Sequence, residues 1–272
     1  QEWAAMGSRS PIRAAAIALA EARTERTAAI LLDQYQGALD RAVDEVLACL
    51  DRNDATGARQ RLERLLERAP VGLHLVQPWR VVLAGPPNAG KSTLVNTLVG
   101  YARAIVDPQA GTTRDAVTAL TAIEGWPVEL CDTAGLRQAS HPVERAGVEA
   151  ARRYLAEADL VLAVFDLGQP WCATNQEILA AHPRALIVHT KSDLPASDDA
   201  TRPAGHCVSA MNGEGIEELL RAIAARLAPH PPEPQAAVPF TPQQVDALSQ
   251  ALSAADPASA RHALQAVLGA TG

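Results

Sequence analysis

Between residues 10 and 70 the apolar positions recur at helical spacing. Leu39, Val43, Val46, Leu47 and Leu50 fall at i, i+4, i+7, i+8 and i+11, one stripe with charges opposite. Leu62, Leu65 and Leu66 continue it after a break at Asn53-Asp54 and Gly57, and Pro70, Gly72 and Pro78 are expected to close the region, with a boundary near residue 75. From 79 to 228 the pattern changes. Short apolar runs at Val81–Ala84, Pro127–Cys131, Leu160–Phe165, Ala185–His189 and Cys207–Val208 read as strands. Helical patterns at 91–100, 146–157, 173–182 and 214–227 alternate with them. The fold class that follows is α/β: a mostly parallel sheet with helices on both faces and ligand loops at the carboxyl ends of its strands. Six prolines between Pro229 and Pro242 predict a semi-rigid linker over 229–242. Beyond it, Val245, Leu248 and Leu252, then Leu264, Val267 and Leu268, predict a short helical pair. Neither terminal piece is large enough to fold alone. The expected division is a helical arm over 1–75, an α/β domain over 76–228, the linker, and a segment over 243–272 that packs on the amino-terminal helices. The arm is either an interaction surface or a scaffold that buries its stripe.

Composition narrows this picture only modestly. The chain has 272 residues, 48% hydrophobic and 20% charged, enough for a core and too few charges for a disordered tail. No apolar run is long enough to span a bilayer, and no signal-peptide layout is present. Gln1 in place of Met is what a processed or cut chain would show. The four cysteines are widely spaced and read as reduced thiols of a cytoplasmic protein. The histidines lack metal-ligand spacing. A net charge of −7 argues against broad electrostatic binding to nucleic acid, although a local patch is compatible with it.

The chemistry lies in the loops after the strands. Gly85-Pro86-Pro87-Asn88-Ala89-Gly90-Lys91-Ser92 follows a buried strand and opens a helix, the context of a phosphate-binding P-loop. Backbone N–H groups of Asn88, Ala89, Gly90, Lys91, Ser92 and Thr93 would face an anion, Lys91 would reach the outer phosphates, and the Ser92 hydroxyl could ligate magnesium. Lys91 and Lys191 are the two lysines among 24 basic residues. An arginine fork does not replace a compact ammonium in a tight cradle, so lysine persists where arginine could not fit. Asp132-Thr133-Ala134-Gly135 ends the next strand, placing a carboxylate to hold a magnesium-bound water and Gly135 N–H near a terminal phosphate. In Thr190-Lys191-Ser192-Asp193, the aspartate could accept two hydrogen bonds from guanine, a pairing adenine does not offer. Ser209-Ala210 would meet the guanine oxygen. In Gly111-Thr112-Thr113-Arg114-Asp115 a hydroxyl, Thr113 or its neighbour Thr112, could complete a magnesium shell when a third phosphate is bound.

These loops in this order resemble the translation-factor-like GTPases. The P-loop, Gly111–Asp115, and Asp132-Thr133-Ala134-Gly135-Leu136-Arg137 with Val143-Glu144-Arg145 narrow the resemblance to the tRNA-modification GTPase family MnmE (TrmE). The segment from Glu21 through Leu39 is similar to that family's helical domain, into which its G domain is inserted. The resemblance implies a P-loop GTPase G domain with an accessory helical domain from both termini. It implies GTP hydrolysis to GDP and phosphate, with Mg2+ and K+ as cofactors. Leu136 stands where many GTPases have a glutamine that orients water. In the family a potassium ion supplies the missing positive charge: Asn88 matches its asparagine ligand, and Asp107 and Gln109 would contribute backbone carbonyls. Glu144 matches a water-positioning glutamate; it reads equally as a first-turn helix carboxylate. The family's folate-binding domain and its carboxyl-terminal Cys-x-Gly-Lys motif have no counterpart here. Thr190 replaces the usual asparagine, which removes a side-chain amide to the base or the P-loop; guanine preference is expected to persist with weaker affinity. The implied partners are guanine nucleotide, a second copy through the G domain, and an unidentified protein or RNA, with no membrane. A rival reading is a GTP-binding scaffold that recruits such a partner, with hydrolysis incidental.

Overall fold

The computed structural model describes residues 11–104, 118–132 and 154–269. The chain divides into two compact units, one formed by Pro78–Pro229 and the other by the residues before and after it.

The helical unit is built from α1 (Pro11–Ala20), α2 (Glu25–Tyr35), α3 (Ala38–Asp51), α4 (Ala55–Leu73), α8 (Pro242–Ser253) and α9 (Pro257–Leu268). The helix starts are legible in their caps. Thr24 and Thr27 form a reciprocal capping box, as do Thr241 and Gln244, and Asp54 and Asp256 accept first-turn N–H groups. Leu39, Val43 and Val46 are fully buried, so the stripe on α3 is a core face. α3 packs on α4, and the carboxyl-terminal pair returns to them: α8 lies against α4 and α9 against α3. Thus the interior of this unit is assembled from both ends of the sequence.

Pro70 and Gly72, expected with Pro78 to close the helical region, lie inside the last turn of α4, which ends at Leu73. Proline forfeits one backbone hydrogen bond, but burial of Leu65, Ala69 and Val71 carries the helix past it. Gly72 serves a different purpose, because a Cβ there would lie 1.9 Å from the Pro239 carbonyl oxygen. That carbonyl belongs to the proline-rich stretch, whose second half is no spacer. Val238 is fully buried and Phe240 nearly so. The buried Gln34 amide donates to the Ala236 carbonyl at 3.0 Å and accepts from the Val238 N–H at 3.0 Å. Arg68 donates to the Ala237 carbonyl at 3.1 Å, and Asp33 accepts from the Gln235 N–H at 2.8 Å. Residues 235–240 are a docked strap. Proline content alone reports stiffness, and these four bonds come from three residues at distant positions in the chain.

The second unit is a seven-stranded sheet in the order β2-β3-β4-β1-β5-β6-β7. Its strands are β1 (Trp79–Ala84), β2 (Arg103–Ala104), β3 (Thr118–Ile123), β4 (Trp126–Asp132), β5 (Leu160–Asp166), β6 (Leu186–Thr190) and β7 (His206–Val208). α5 (Lys91–Tyr101), α6 (Ala173–Ala181) and α7 (Ile216–Leu227) accompany it. β1 is central, parallel to β4 and β5, with Val81, Val82 and Leu83 fully buried. The expected strands are all present. β2 and β3 are additions, and both run antiparallel to their neighbours. β3 and β4 form a hairpin through Glu124 and Gly125, both with positive φ (49° and 80°). The alternating residues Thr118–Ile123 are short on bulky apolar side chains, which hides this strand in the sequence. Of the helix expected over 146–157, residues 146–153 lie outside the described residues.

Candidate nucleotide site

Parallel pairing brings the carboxyl ends of β1, β4, β5, β6 and β7 to one edge of the sheet. Each strand delivers a chemical group there. β1 runs into residues 85–90, whose backbone is pressed onto β5: a Cβ on Gly85 would lie 2.2 Å from the Val164 carbonyl oxygen. Only glycine fits so close an approach. Asn88 and Gly90 both adopt left-handed conformations, with φ of 62° and 84°. The turn then enters α5, where the Leu94 N–H reaches the Gly90 carbonyl at 2.8 Å. First-turn N–H groups, together with the positive end of the helix, make an anion site of this corner.

Lys91 is buried at the start of α5, 4% exposed. Its ammonium donates to the Gly85 carbonyl at 3.0 Å and the Pro86 carbonyl at 2.7 Å. A buried cation must be compensated, and these contacts fix the ammonium inside the curl of the loop. Ser92, one residue on, donates its hydroxyl to the Asp132 carboxylate at the end of β4. Asp132 is itself buried. A hydroxyl and a carboxylate in direct contact are the hard oxygen donors that magnesium prefers. Beside Asp132, burial and then the charges of Glu129 and Asp132 push the Cys131 thiol up to about 12. It is therefore an inert structural thiol.

The opposite wall comes from β6 and β7. Thr190 is buried, and its hydroxyl lies 2.7 Å from the Ala89 carbonyl and 3.2 Å from that of Phe165. Threonine lacks the side-chain amide of the usual asparagine, yet its hydroxyl reaches the P-loop. A hydroxyl on β6 is close enough to make the link that a longer amide would otherwise make. Lys191, at φ 62°, donates to the Asn88 carbonyl at 3.2 Å and to Asp166 at 2.7 Å. The Asp193 carboxylate accepts from the Ser209 hydroxyl at 2.6 Å. Ser209 is fully buried and accepts in turn from the N–H groups of Met211 at 3.2 Å and Asn212 at 3.3 Å. Ala210, half-buried, follows it. This chain of bonds fixes Asp193 as an acceptor at the rim.

Asn88, Ala89, Gly90, Lys91, Ser92, Thr93, Asp132, Thr190, Lys191, Asp193, Ser209 and Ala210 thus lie in the strand ends, loops and first helical turn at one edge of the sheet. Asp107, Gln109, Thr112, Thr113, Gly135 and Glu144 lie outside the described residues. Asp166 and Arg202 were missed. Asp166 closes β5 just as Asp132 closes β4, a parallel that could have drawn notice. Arg202 donates to the carbonyls of Asp166, Leu167 and Gln169 at 3.3, 3.2 and 2.5 Å. Only the fold brings it there. Beneath this wall His189 is buried, with its Nε2 2.9 Å from the Pro203 carbonyl. Burial lowers its pKa, against the opposing effect of that carbonyl, and Arg202 adds to the lowering.

Residues 80–191 match the family described as 50S ribosome-binding GTPase. The tRNA modification GTPase MnmE of Xanthomonas euvesicatoria pv. vesicatoria is 42% identical over 198 residues, covering 70% of this chain and 44% of that protein. MnmE of Chloroflexus aurantiacus is 43% identical over 174 residues, covering 61% and 38%. The chain therefore spans about two-fifths of the length of the curated relatives it matches. Among solved structures, the G domain of the T. maritima FeoB iron transporter is similar at 25% identity and a TM-score of 0.39, over 55% of this chain and 99% of that one. The P-loop, the strand-end aspartate and the Thr-Lys-Ser-Asp wall on one edge of the sheet thus lie in or next to the segment that matches the GTPase family, and over about two-thirds of its length the chain is similar to MnmE.

Proposed function

We propose that this protein is a guanine-nucleotide switch that hydrolyses GTP to GDP and phosphate, dependent on Mg2+ and stimulated by K+. The observation that carries the proposal is the convergence of the buried Lys91 ammonium, the Ser92–Asp132 pair and the Asp193–Ser209 pair on one edge. Asp193 would accept from guanine N1–H and its exocyclic amine, with Lys191 over the base and Ser209-Ala210 near the guanine oxygen. The backbone from Asn88 to Thr93 and Lys91 would hold the phosphates. Ser92 and either Thr113 or Thr112 would ligate magnesium directly, and Asp132 through water. The donor set fits: hydroxyl and carboxylate oxygens already meet there. Magnesium would neutralise charge shared by the β- and γ-phosphates.

Hydrolysis joins a water oxygen to the γ-phosphorus and breaks its bond to the bridging oxygen, leaving GDP. The protein's share is positioning and charge. Lys91 would stabilise charge growing on the bridging side, and Gly135 N–H would face the γ-phosphate. Glu144 would position water. Asn88, with carbonyls of Asp107 and Gln109, would hold K+, in place of an arginine finger.

The division of labour proposed is a G domain over 76–228 that senses nucleotide and helical parts over 1–75 and 243–272 that transmit its state. A homodimer through the G domains, a protein or RNA partner, a role in tRNA modification and a cytoplasmic location are part of the same proposal, supported by the likeness to MnmE. No helix among the described residues is long and apolar enough to cross a membrane.

The test is base-selective binding and turnover. Wild type should bind GDP and cleave GTP in preference to ATP, faster in potassium than in sodium. Asp193→Asn exchanges an acceptor for a donor and should shift preference toward xanthine nucleotide. Asn88→Ala should erase the potassium advantage, and Glu144→Ala should slow turnover at unchanged GDP affinity. Equal affinity for GTP and ATP in wild type would refute the assignment of the base.

A further inference from the structure

The two non-glycine residues of the site with positive φ, Asn88 and Lys191, are joined to each other: the Lys191 ammonium donates to the Asn88 carbonyl at 3.2 Å. Such backbone conformations persist where surrounding contacts over-determine them. The contact that fixes the ammonium is Asp166, whose Oδ2 accepts from it at 2.7 Å. Asp166 is well placed for this. Its side chain is 12% exposed. Its Oδ1 accepts from the Gly168 N–H at 2.9 Å, so both carboxylate oxygens are engaged within the protein. The turn carrying it is latched by Arg202 on three successive or near-successive carbonyls, and by the Ser197 N–H on the Leu167 carbonyl at 3.0 Å. The Leu167 N–H in turn donates to the Thr190 carbonyl at 3.0 Å, adjoining Lys191 directly.

We infer that Asp166 is a positioning residue for guanine-nucleotide affinity, acting through Lys191. It holds the ammonium against the P-loop carbonyl of Asn88, so the base wall and the phosphate cradle form one preorganised unit. Without the carboxylate, Lys191 would lose a charge-assisted bond and sample other rotamers. Each binding event would then have to order the lysine and the loop again. Both Asp166 oxygens are engaged within the protein, one of them by the lysine, so its effect on binding should vanish when the lysine is gone.

This inference rests on the guanine-nucleotide reading, and a double-mutant cycle separates the two. A fluorescent GDP analogue would be titrated into wild type, Asp166→Ala, Lys191→Ala and the double variant, with GTP turnover measured in parallel. Asp166→Ala should weaken GDP binding roughly 10-fold and raise KM similarly, while kcat changes less than about twofold. Asp166→Asn, which keeps an acceptor for the Gly168 N–H, should recover part of the affinity. In the Lys191→Ala background, removing Asp166 should change affinity less than about twofold. An equal loss with and without Lys191, or no loss at all, overturns the positioning role. If Asp166→Ala fails to fold, the same cycle run with Asp166→Asn gives the decision. Wild type that binds no GDP overturns the guanine reading and this inference with it.

Discussion

The helical unit and the nucleotide unit both hold irregular backbone with buried polar side chains, but the groups they use differ in charge. In the helical unit a neutral amide, Gln34, donates to Ile30 and Ala236 and accepts from Val238, each at 3.0 Å. A neutral group satisfied in this way holds a strap and leaves no field behind. In the nucleotide unit the corresponding positions carry ammonium groups: Lys91 on the Gly85 and Pro86 carbonyls, Lys191 on that of Asn88. Carbonyl dipoles orient both cations, and Asp166 also pairs with Lys191. Placed at a helix start, a positive charge of this kind stabilises an anion. Identical backbone chemistry therefore serves cohesion in one unit and, in the proposed function, ligand binding in the other.

The strongest way to break this contrast is to remove Lys91. Lys91→Ala should lower GTP turnover by about two orders of magnitude or more, read as single-turnover phosphate release. If turnover survives and only stability falls, the buried lysine is cohesive like Gln34, and the contrast fails. Next in size is the strap. Gly72→Ala sets a Cβ against the Pro239 carbonyl and should cost about 2–4 kcal/mol, measured by denaturant unfolding. Gln34→Ala leaves the Ala236 carbonyl and the Val238 N–H short of their partner, and about 1–3 kcal/mol should be lost. A neutral result would mean that apolar burial of Val238 and Phe240 suffices to seat the strap.

The smallest effect sharpens the picture of the base wall. His189 has its folded pKa lowered below the ordinary 6.5, so the unfolded chain binds its proton first as pH falls. Its contribution to stability is intact above about pH 7 and is lost progressively below about pH 6.5. His189→Gln should flatten that part of the stability–pH curve, followed by thermal unfolding between pH 5 and 8.

Much of the nucleotide site was legible because its chemistry is local. A P-loop needs consecutive residues, and the strand before and the helix after it are short-range patterns. Asp132 and Thr190-Lys191-Ser192-Asp193 could be placed for the same reason, each ending an apolar run. Asp166 escaped because a lone carboxylate after a strand acquires meaning only when β5 pairs with β6 and brings Lys191 within 2.7 Å. The bond from Thr190 to Ala89 spans 101 residues, and no spacing rule encodes it. In the helical unit, the caps and the stripe on α3 were readable. The strap was not, since its anchors Asp33, Gln34 and Arg68 precede it by about 170 to 200 residues. Pro70 misled because a propensity rule was outweighed by burial.

The scarcity of lysine gives the molecule an unplanned property. An endoprotease specific for lysine has two places to cut, Lys91 and Lys191, and a complete digest gives the pieces 1–91, 92–191 and 192–272, with 1–191 and 92–272 as the single-cut products. Both scissile bonds lie in the nucleotide site, one at the first turn of α5 and the other after β6. Lys91 is buried in a helix, so cutting there requires that turn to open, and digestion kinetics report the opening of the site. Ligand protection at either bond can be read from a gel, with no label attached and no background from the rest of the surface.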